Sequence, residues 1–251
     1  KATPDVWQVV EPLYGLPLYR SENLYEALVF VIIEQHISWV SAQRAQQTLI
    51  NMGEEKHNVL MPPSELATKT VDDLKPLKIT FRRMNLLIAI AQQIKGGTLP
   101  LSTWQNLAPD ALYDNLLAIK GVGHWTASVV VARATGQYRF VPHNDVALQA
   151  AVARYFDTAK SPDATKALFE SYGEHAGLAA HFTLMRWVLD EYPGVKIILG
   201  HLGEGLPFLL WRIDHALSRP GNKEVNFREK FSRNFWITTS GFFSDAALRC
   251  C

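Results

Sequence analysis

The stretch Leu116-Leu117-Ala118-Ile119-Lys120-Gly121-Val122-Gly123-His124-Trp125-Thr126-Ala127 decides the fold of this chain. Apolar residues stand at helical spacing before Lys120 and again after Trp125, which predicts two helices. The glycines between them allow only a tight connection, because glycine reaches the left-handed backbone region at little cost. The stretch therefore predicts a helix-hairpin-helix whose backbone N–H groups, backed by a helix N-terminus, point toward an anion such as a phosphate.

A second stretch, Phe140-Val141-Pro142-His143-Asn144-Asp145-Val146-Ala147-Leu148-Gln149, follows a short distance downstream. It predicts a loop that delivers one carboxylate, that of Asp145, to the start of a new helix. Taken alone, Asp145 is more simply explained as the N-cap of that helix, a common role for Asp. A capping role does not exclude a chemical one, and the hairpin upstream favours chemistry at this side chain.

Together the two stretches resemble the helix-hairpin-helix DNA glycosylases, and specifically their 3-methyladenine (alkylbase) branch. That family has a short apolar-Pro loop, then Asp, then Leu-Ala-Leu-Gln or similar, and this chain has Asp145-Val146-Ala147-Leu148-Gln149. The resemblance runs from about Trp7 to about Asp190 and implies an all-α glycosylase domain over residues 1–190. It also implies hydrolytic removal of alkylated purines from double-stranded DNA, with Asp145 as the catalytic carboxylate that stabilises the oxocarbenium-like sugar.

Trp125 sets the reaction type that the resemblance implies. Bifunctional members of the family have a lysine at this hairpin position and cut the strand through a Schiff base. A tryptophan there implies a monofunctional hydrolase that leaves an abasic site. The resemblance also implies that Trp125 and Tyr172 line the pocket of the flipped base, although Trp125 is equally well explained as a core residue.

The resemblance implies DNA contacts from two places, the hairpin and the turn Gln35-His36-Ile37-Ser38. In the family, the residue after the glutamine fills the gap left by the flipped base. That residue is His36 here, and the alternative is a surface histidine at a helix end. The expected DNA-binding residues are Gln35, His36, Ser38, Lys120, Gly121, Val122, Gly123, His124 and Thr126. No cofactor is required, although in the family the hairpin carbonyls, here around Ile119 and Val122, hold a monovalent cation.

The net charge of the chain neither indicates nor excludes a nucleic-acid partner. The net charge of the chain is +1. Residues 1–192 hold 17 Lys and Arg against 19 Asp and Glu, hence −2, and residues 193–251 hold 8 against 5, hence +3. A DNA footprint therefore has to be local, from side chains such as Lys78, Arg82, Arg83 and Lys120 together with backbone donors. A non-catalytic helix-hairpin-helix DNA-binding module is the alternative function.

Nothing in the sequence indicates a membrane or an oxidising compartment. No apolar run is long enough to span a bilayer, and no signal peptide is visible. The only cysteines are Cys250 and Cys251, which excludes a disulfide framework or a cysteine-based metal site. We expect a monomer in the cytoplasm of a bacterium, associated with the nucleoid, or in the nucleus of a eukaryote.

The last 61 residues, 191–251 of 251, have a different character. Strand-like and helix-like patterns alternate as β-α-β-α, and Gly200-His201-Leu202-Gly203-Glu204-Gly205 follows the first strand. This string resembles the amidohydrolase-type metal-dependent decarboxylases such as γ-resorcylate decarboxylase, where its histidine and glutamate lie in the active site. A (β/α)₈ barrel needs eight strands, and two are present, so we expect His201 and Glu204 to be non-functional and to bind no metal.

Two families in one chain suggest a chimera, joined near residues 186–193. An aromatic-acid decarboxylase, which would be incomplete here, is therefore the third candidate function.

In the helical part, the spacing of apolar residues predicts an amphipathic pattern over 24–51 with a second helix at 42–49. It also predicts helices over 62–77 (capped by Ser64), 81–94, 109–119, 146–156, 164–172 and 175–189, with a loop at 98–107.

Overall fold

Helices follow one another along most of the chain. The computed structural model describes residues 5–13, 16, 18–53, 59–192, 194, 197–199, 212, 215, 232–233 and 235–237. The α-helices are α1 (Val6–Val10), α2 (Leu24–Glu34), α3 (Trp39–Asn51), α4 (Pro63–Leu66), α5 (Val71–Leu74), α6 (Phe81–Lys95), α7 (Leu101–Trp104), α8 (Pro109–Leu117), α9 (His124–Thr135), α10 (Val146–Phe156), α11 (Pro162–Glu170) and α12 (Ala176–Glu191). Short 3₁₀ turns cover Glu11–Leu13, Lys75–Leu77 and Gly173–His175.

Two compact units divide the chain. One spans Leu16–His181, and the other combines Lys1–Gly15 with Phe182–Cys251. The predicted all-α fold class is confirmed for the described residues up to 191. Beyond them lie two three-residue strands, β1 (Ile197–Leu199) and β2 (Phe235–Ile237), which pair in parallel. Most residues of the helices predicted around these strands lie outside the described residues. Of these helices only Arg212 and His215 are described, as helical, and the predicted barrel fragment is not supported.

Helix α2 forms the centre of the Leu16–His181 unit. Eight of its residues are buried, on every side of the helix, and it packs against α3, α6, α7 and α9. The prediction of an amphipathic pattern was therefore wrong for α2, because a helix that is apolar all round is enclosed by neighbours rather than lying on the surface. Asn23 caps its start by accepting a hydrogen bond from the Glu26 N–H.

Two arginines that pack against α2 are internal. The Arg83 side chain donates through Nη1 to the Ile33 carbonyl at 2.9 Å, so it satisfies a backbone group near the end of α2. This buried position overturns the expectation that Arg83 contributes to a DNA footprint. Arg133 pairs with Glu34 at 2.7 Å, and Gln46 donates to the same Glu34 oxygen at 2.9 Å.

The single helix predicted over 62–77 and the loop predicted over 98–107 differ from the structure. Residues 62–77 form α4, α5 and a 3₁₀ turn, because Thr70 begins a new helix with a reciprocal capping box to Asp73. Pro62, not Ser64, occupies the N-cap position of α4. The 98–107 segment contains the short helix α7. Among the described residues, no helix is long and apolar enough to cross a membrane.

Candidate active site

Asp145 occupies the N-cap of α10 and is half-buried. Its Oδ1 accepts hydrogen bonds from the Ala147 N–H at 2.8 Å and from the Leu148 N–H at 3.0 Å. Its Oδ2 accepts from the indole Nε1–H of Trp125 at 2.8 Å. The carboxylate therefore caps the helix with one oxygen and is held toward the hairpin by the other. A carboxylate offers about four acceptor positions, so three bonds leave room for a further donor such as water.

The two helices of the hairpin are α8 and α9, which pack against each other. Residues Ile119–Val122 form the turn between them, closed by a bond from the Val122 N–H to the Ile119 carbonyl at 3.0 Å. Gly121 has φ +99° in this turn, a conformation that a β-turn of type II requires at its third residue. The helix-hairpin-helix predicted from the glycines is therefore present.

The hairpin turn contains both exposed and buried residues. Lys120, Gly121 and Gly123 are exposed, and Gly123 is the N-cap of α9. Val122 is 6% exposed and belongs to the hydrophobic core. The Val122 side chain therefore anchors the hairpin to the protein, and the predicted contact of Val122 with DNA stays a prediction for its backbone.

His124, the first residue of α9, ties the hairpin to the loop that ends in Asp145. Its Nε2 donates to the Val141 carbonyl at 2.7 Å, and this leaves Nδ1 to accept from the Tyr113 hydroxyl at 2.6 Å. Burial lowers the pKa of His124, and the bond to Val141 partly opposes this effect. Both ring nitrogens of His124 are thus engaged within the protein, and its predicted contact with DNA stays a prediction that its backbone can still serve.

The same loop has a second anchor on α10. The buried Gln149 side chain donates to the His143 carbonyl at 2.9 Å, and the His143 ring lies 4.1 Å from the His124 ring between centroids. Tyr113 in turn stacks on Phe140 with ring centroids 4.1 Å apart. The loop over 140–145 is thus fixed by side chains from α8, α9 and α10, which holds the Asp145 carboxylate in place.

The turn after α2 is joined to the hairpin helix by one side-chain bond. Gln35 donates through Nε2 to the Thr126 hydroxyl at 2.9 Å. Thr126 is 3% exposed, so its side chain orients Gln35, and the predicted DNA contact of Thr126 is restricted to its backbone. His36 is exposed with φ +54°, and Ser38 is the N-cap of α3, accepting from the Ser41 N–H at 3.3 Å.

Three further residues were predicted to belong to a site, namely Tyr172, His201 and Glu204. Tyr172 is half-buried and directly precedes the 3₁₀ turn Gly173–His175. His201 and Glu204 lie outside the described residues. Within the described part of the chain, no group of three or more His, Cys, Asp and Glu side chains could hold a metal ion.

Tyr113 contributes to this site but was not predicted from the sequence. It lies between the buried Leu112 and Leu116 on α8. That spacing places Tyr113 beside the face of α8 that packs on α9, and this was the one signal available.

Comparisons with known proteins associate the helical part with DNA glycosylases. No protein-family model matches the chain. YfjP of Bacillus subtilis (strain 168), described as a candidate DNA-3-methyladenine glycosylase, is 27% identical over 157 residues, which are 61% of this chain and 55% of that protein. A DNA-3-methyladenine glycosylase of the same strain is 27% identical over 155 residues, 59% of this chain and 51% of that protein. The chain spans about half the length of these curated relatives.

Solved structures define the class of fold. The 3-methyladenine DNA glycosylase from Archaeoglobus fulgidus superposes with a TM-score of 0.59 at 21% identity, covering 74% of this chain and 65% of that one. The Schizosaccharomyces pombe 3-methyladenine DNA glycosylase in complex with abasic DNA gives a TM-score of 0.60 at 18% identity, covering 75% and 92%. The helical part of the chain therefore has the all-α, helix-hairpin-helix fold of DNA glycosylases.

A separate similarity concerns a different kind of enzyme. The γ-resorcylate decarboxylase of Rhizobium sp. (strain MTP-10005) is 46% identical over 66 residues. This match covers 24% of the chain and 20% of that protein. The similarity to decarboxylases is thus higher in identity than the similarity to glycosylases, but it is confined to a fragment.

Proposed function

We propose that the chain is a monofunctional DNA glycosylase that flips out and hydrolytically removes alkylated purines, of the 3-methyladenine type, in base excision repair. One observation supports this most directly: the Asp145 carboxylate is held by Trp125 of the hairpin helix at 2.8 Å. The names of the Bacillus subtilis relatives and the glycosylase fold support the same assignment.

The proposed chemistry needs one carboxylate and one water molecule. As the bond from C1′ to the base nitrogen breaks, the sugar develops positive charge, which a fixed carboxylate stabilises more strongly than mobile solvent does. Asp145 would also orient or deprotonate the attacking water. Alkylated purines such as 3-methyladenine are positively charged, so they leave easily and stack well on an aromatic ring such as that of Trp125 or Tyr172.

The residues around Asp145 favour hydrolysis over strand cleavage. A lyase step would need an amine close to the reacting sugar to form a Schiff base. Trp125 offers an indole N–H, which is no nucleophile. The lysine nearest to Trp125 in sequence, Lys120, is exposed and precedes the hairpin glycines.

Double-stranded DNA containing a damaged base is the proposed partner, bound by a monomer. The backbone N–H groups at the start of α9 would contact a phosphate, and the carbonyls near Ile119 and Val122 would share a monovalent cation with it. His36, exposed at the turn after α2, would fill the gap left by the flipped base. Such an enzyme would work beside chromosomal DNA, in a bacterial cytoplasm or a nucleus.

The Asp145→Asn variant tests the proposed chemistry. Asparagine caps helices about as well as aspartate, so the fold should be retained. Its side-chain amide has no negative charge to stabilise the sugar, and we expect base release from methylated duplex DNA to fall by at least about 100-fold. DNA binding, measured by fluorescence anisotropy, should persist. Release unchanged in Asp145→Asn contradicts the assignment of Asp145.

A non-catalytic DNA-binding module is the alternative, and the same experiment separates the two functions. If the wild-type chain binds DNA but releases no methylated purine, the hairpin contacts DNA and the chemistry is absent. Matched assays on undamaged and methylated duplexes complete the test, because a plain binding module has no pocket for a damaged base.

We infer further that the chain is a chimera of a glycosylase domain at 1–190 and an incomplete decarboxylase-like fragment at 191–251. The decarboxylase similarities, which cover 20–26% of those proteins, support this inference. The metal-dependent decarboxylase activity would require the rest of a barrel. A chain ending at Asp190 should release methylated bases as the full chain does, and loss of release on truncation contradicts this domain assignment.

A further inference from the structure

The loop over residues 141–145, which ends in the candidate carboxylate, is held at both ends by consecutive residues of α9. At the end of the loop, Trp125 donates to Asp145 Oδ2 at 2.8 Å. At its start, the ring of His124 donates through Nε2 to the Val141 carbonyl at 2.7 Å. The first two residues of α9 therefore set both the place where the loop begins and the direction of the carboxylate with which it ends.

The backbone of this loop is satisfied without His124. The Val141 carbonyl also accepts from the His143 N–H at 2.8 Å, and the Pro142 carbonyl accepts from the Asp145 N–H at 2.8 Å. A carbonyl oxygen has two acceptor positions, so loss of the bond from His124 leaves the Val141 carbonyl with a partner. The bond from His124 is thus not needed to form the loop, and its effect is to fix where the loop stands against α9.

The hydrogen-bond partners of His124 select one tautomer of its ring. The Val141 carbonyl can only accept, so Nε2 carries the proton, and Nδ1 of the neutral ring accepts from the Tyr113 hydroxyl at 2.6 Å. Burial lowers the pKa of His124, which favours the neutral ring. Because Tyr113 belongs to α8, the first helix of the hairpin fixes the form in which the second helix donates to the loop.

The ring of Tyr113 is held in place independently of its hydroxyl. It stacks on the Phe140 ring with centroids 4.1 Å apart. The backbone of Phe140 lies close to the start of α12, where a Cβ added to Gly177 would stand 2.6 Å from the Phe140 carbonyl. Phe140 therefore has little room to move, and replacing Tyr113 by phenylalanine removes the hydroxyl while keeping the stacked ring.

We propose that His124 and Tyr113 are positioning residues for base release. His124 holds the start of the loop through Val141, and Tyr113 holds His124 in the tautomer that donates. Both act on the placement of the Asp145 carboxylate, and a displacement of about 1 Å in a reacting group slows a reaction by up to about 100-fold. This inference rests on the proposed function, because it assigns the two residues to the step that Asp145 performs there.

The test is the single-turnover rate of base release from methylated duplex DNA by the full chain at saturating protein. Tyr113→Phe removes one neutral hydrogen bond, and we expect a rate about fivefold lower. His124→Asn places its amide near the former Nδ1 and does not reach Val141, so we expect a loss of at least about 20-fold. His124→Gln reaches Val141 with its own amide and should stay within about fivefold of the wild type. DNA affinity, from fluorescence anisotropy, should change by less than about twofold in all three variants.

A double variant shows whether Tyr113 acts through His124. If it does, Tyr113→Phe combined with His124→Asn is no slower than His124→Asn alone, whereas independent effects multiply. Tyr25→Phe is the matched control, because the Tyr25 hydroxyl also donates to a backbone carbonyl, that of Met61 at 3.0 Å, which lies outside the loop. We expect Tyr25→Phe to release base at the wild-type rate.

The indole N–H resonance of Trp125 in a nitrogen–proton NMR spectrum reports the same geometry without any reaction. It is assigned as the signal that Trp125→Phe removes. Because this N–H donates to Asp145, a displaced carboxylate changes its chemical shift. We expect the signal to move in Tyr113→Phe and His124→Asn and to keep its position in Tyr25→Phe.

The outcomes separate this inference from the proposed function. If the wild-type chain releases no base while the Trp125 signal moves as expected, the link from Tyr113 and His124 to Asp145 stands and the glycosylase assignment fails. If the wild type releases base and both Tyr113→Phe and His124→Asn do so within about twofold of its rate, the positioning role is overturned alone. Equal losses in His124→Gln and His124→Asn, or effects that multiply in the double variant, also overturn it. A loss shared by Tyr25→Phe reflects general destabilisation and overturns it too.

Discussion

At Asp145 a single carboxylate has two structural tasks, and they use different oxygens. Oδ1 caps α10, whereas Oδ2 accepts the Trp125 indole proton at 2.8 Å. Capping is therefore compatible with the proposed catalytic role of Asp145, because the cap fixes the direction of the carboxylate that the proposed chemistry needs. Trp125, expected as a wall of the base pocket, is also the residue that orients Asp145.

Trp125→Phe should separate these two roles of the tryptophan. Phenylalanine keeps an aromatic wall but removes the donor to Oδ2, and a hydrogen bond to a charged group contributes about 1.5–3 kcal/mol. We expect single-turnover base release to slow by roughly tenfold or more, with little change in DNA affinity. Trp7→Phe, the same change at an exposed tryptophan, is the control. A Trp125→Phe rate within about twofold of the wild type would mean that this bond contributes little to catalysis.

Arg82 and Arg83 are neighbours with identical chemistry and different positions. Arg82 is exposed, while Arg83 is buried with a bond to the Ile33 carbonyl. Removing a partner of a buried backbone group costs more than removing an exposed charge. Arg83→Ala should therefore lower the free energy of unfolding by about 1–3 kcal/mol, and Arg82→Ala by less than about 0.5 kcal/mol, in urea denaturation. Equal losses would contradict the internal role of Arg83.

These residues also mark what the sequence could and could not predict. Asp145 and the hairpin were predictable because a cap position and a Gly-Val-Gly turn are local signals. The burial of Arg83, the engagement of His124 with Val141 and Tyr113, and the bond from Gln35 to Thr126 depend on contacts between distant segments. The spacing of apolar residues shows which residues share a face of a helix, but it does not show which elements pack around that helix. Helix α2 was therefore predicted to be amphipathic, although α3, α6, α7 and α9 cover it.

The hairpin as an element depends on Gly121 more than on Gly123. Gly121 has φ +99°, and a Cβ there would meet the Leu86 side chain at 3.0 Å. Gly123 has φ −105°, and a Cβ added to it meets nothing within 4 Å.

Gly121→Ala should lower the free energy of unfolding by about 1–2 kcal/mol, because a left-handed backbone is costly for alanine. Gly123→Ala should cost less, about 0.5 kcal/mol, because alanine is a poorer N-cap than glycine but has space at this position, and it therefore serves as the matched control in thermal or urea denaturation. The two-glycine hairpin would then divide its tasks, with Gly121 forming the turn and Gly123 keeping the start of α9 open to a phosphate. Equal destabilisation by both substitutions would contradict this division.

For the Leu16–His181 unit as a whole, we expect internal histidines to make the free energy of unfolding sensitive to acid. Burial, with a smaller contribution from Arg133, lowers the pKa of His181 to about 4 from its ordinary 6.5. The ring lies against Tyr138, with centroids 4.5 Å apart. Burial lowers the pKa of His124 in the same direction. Well above pH 6.5, by about pH 8, neither the folded nor the unfolded chain protonates these rings, so they add no pH dependence there.

Between pH 6.5 and about 4 the unfolded chain binds a proton at residue 181 that the folded chain refuses, so stability falls as the pH falls. From His181 alone we expect a loss of up to about 2 kcal/mol between pH 6.5 and pH 5. Thermal denaturation across this range should show a smaller pH dependence for His181→Gln than for the wild type, whatever the substitution does to stability at neutral pH. The exposed His175→Gln is the control, and a wild-type slope that persists in His181→Gln would assign the acid sensitivity to other groups.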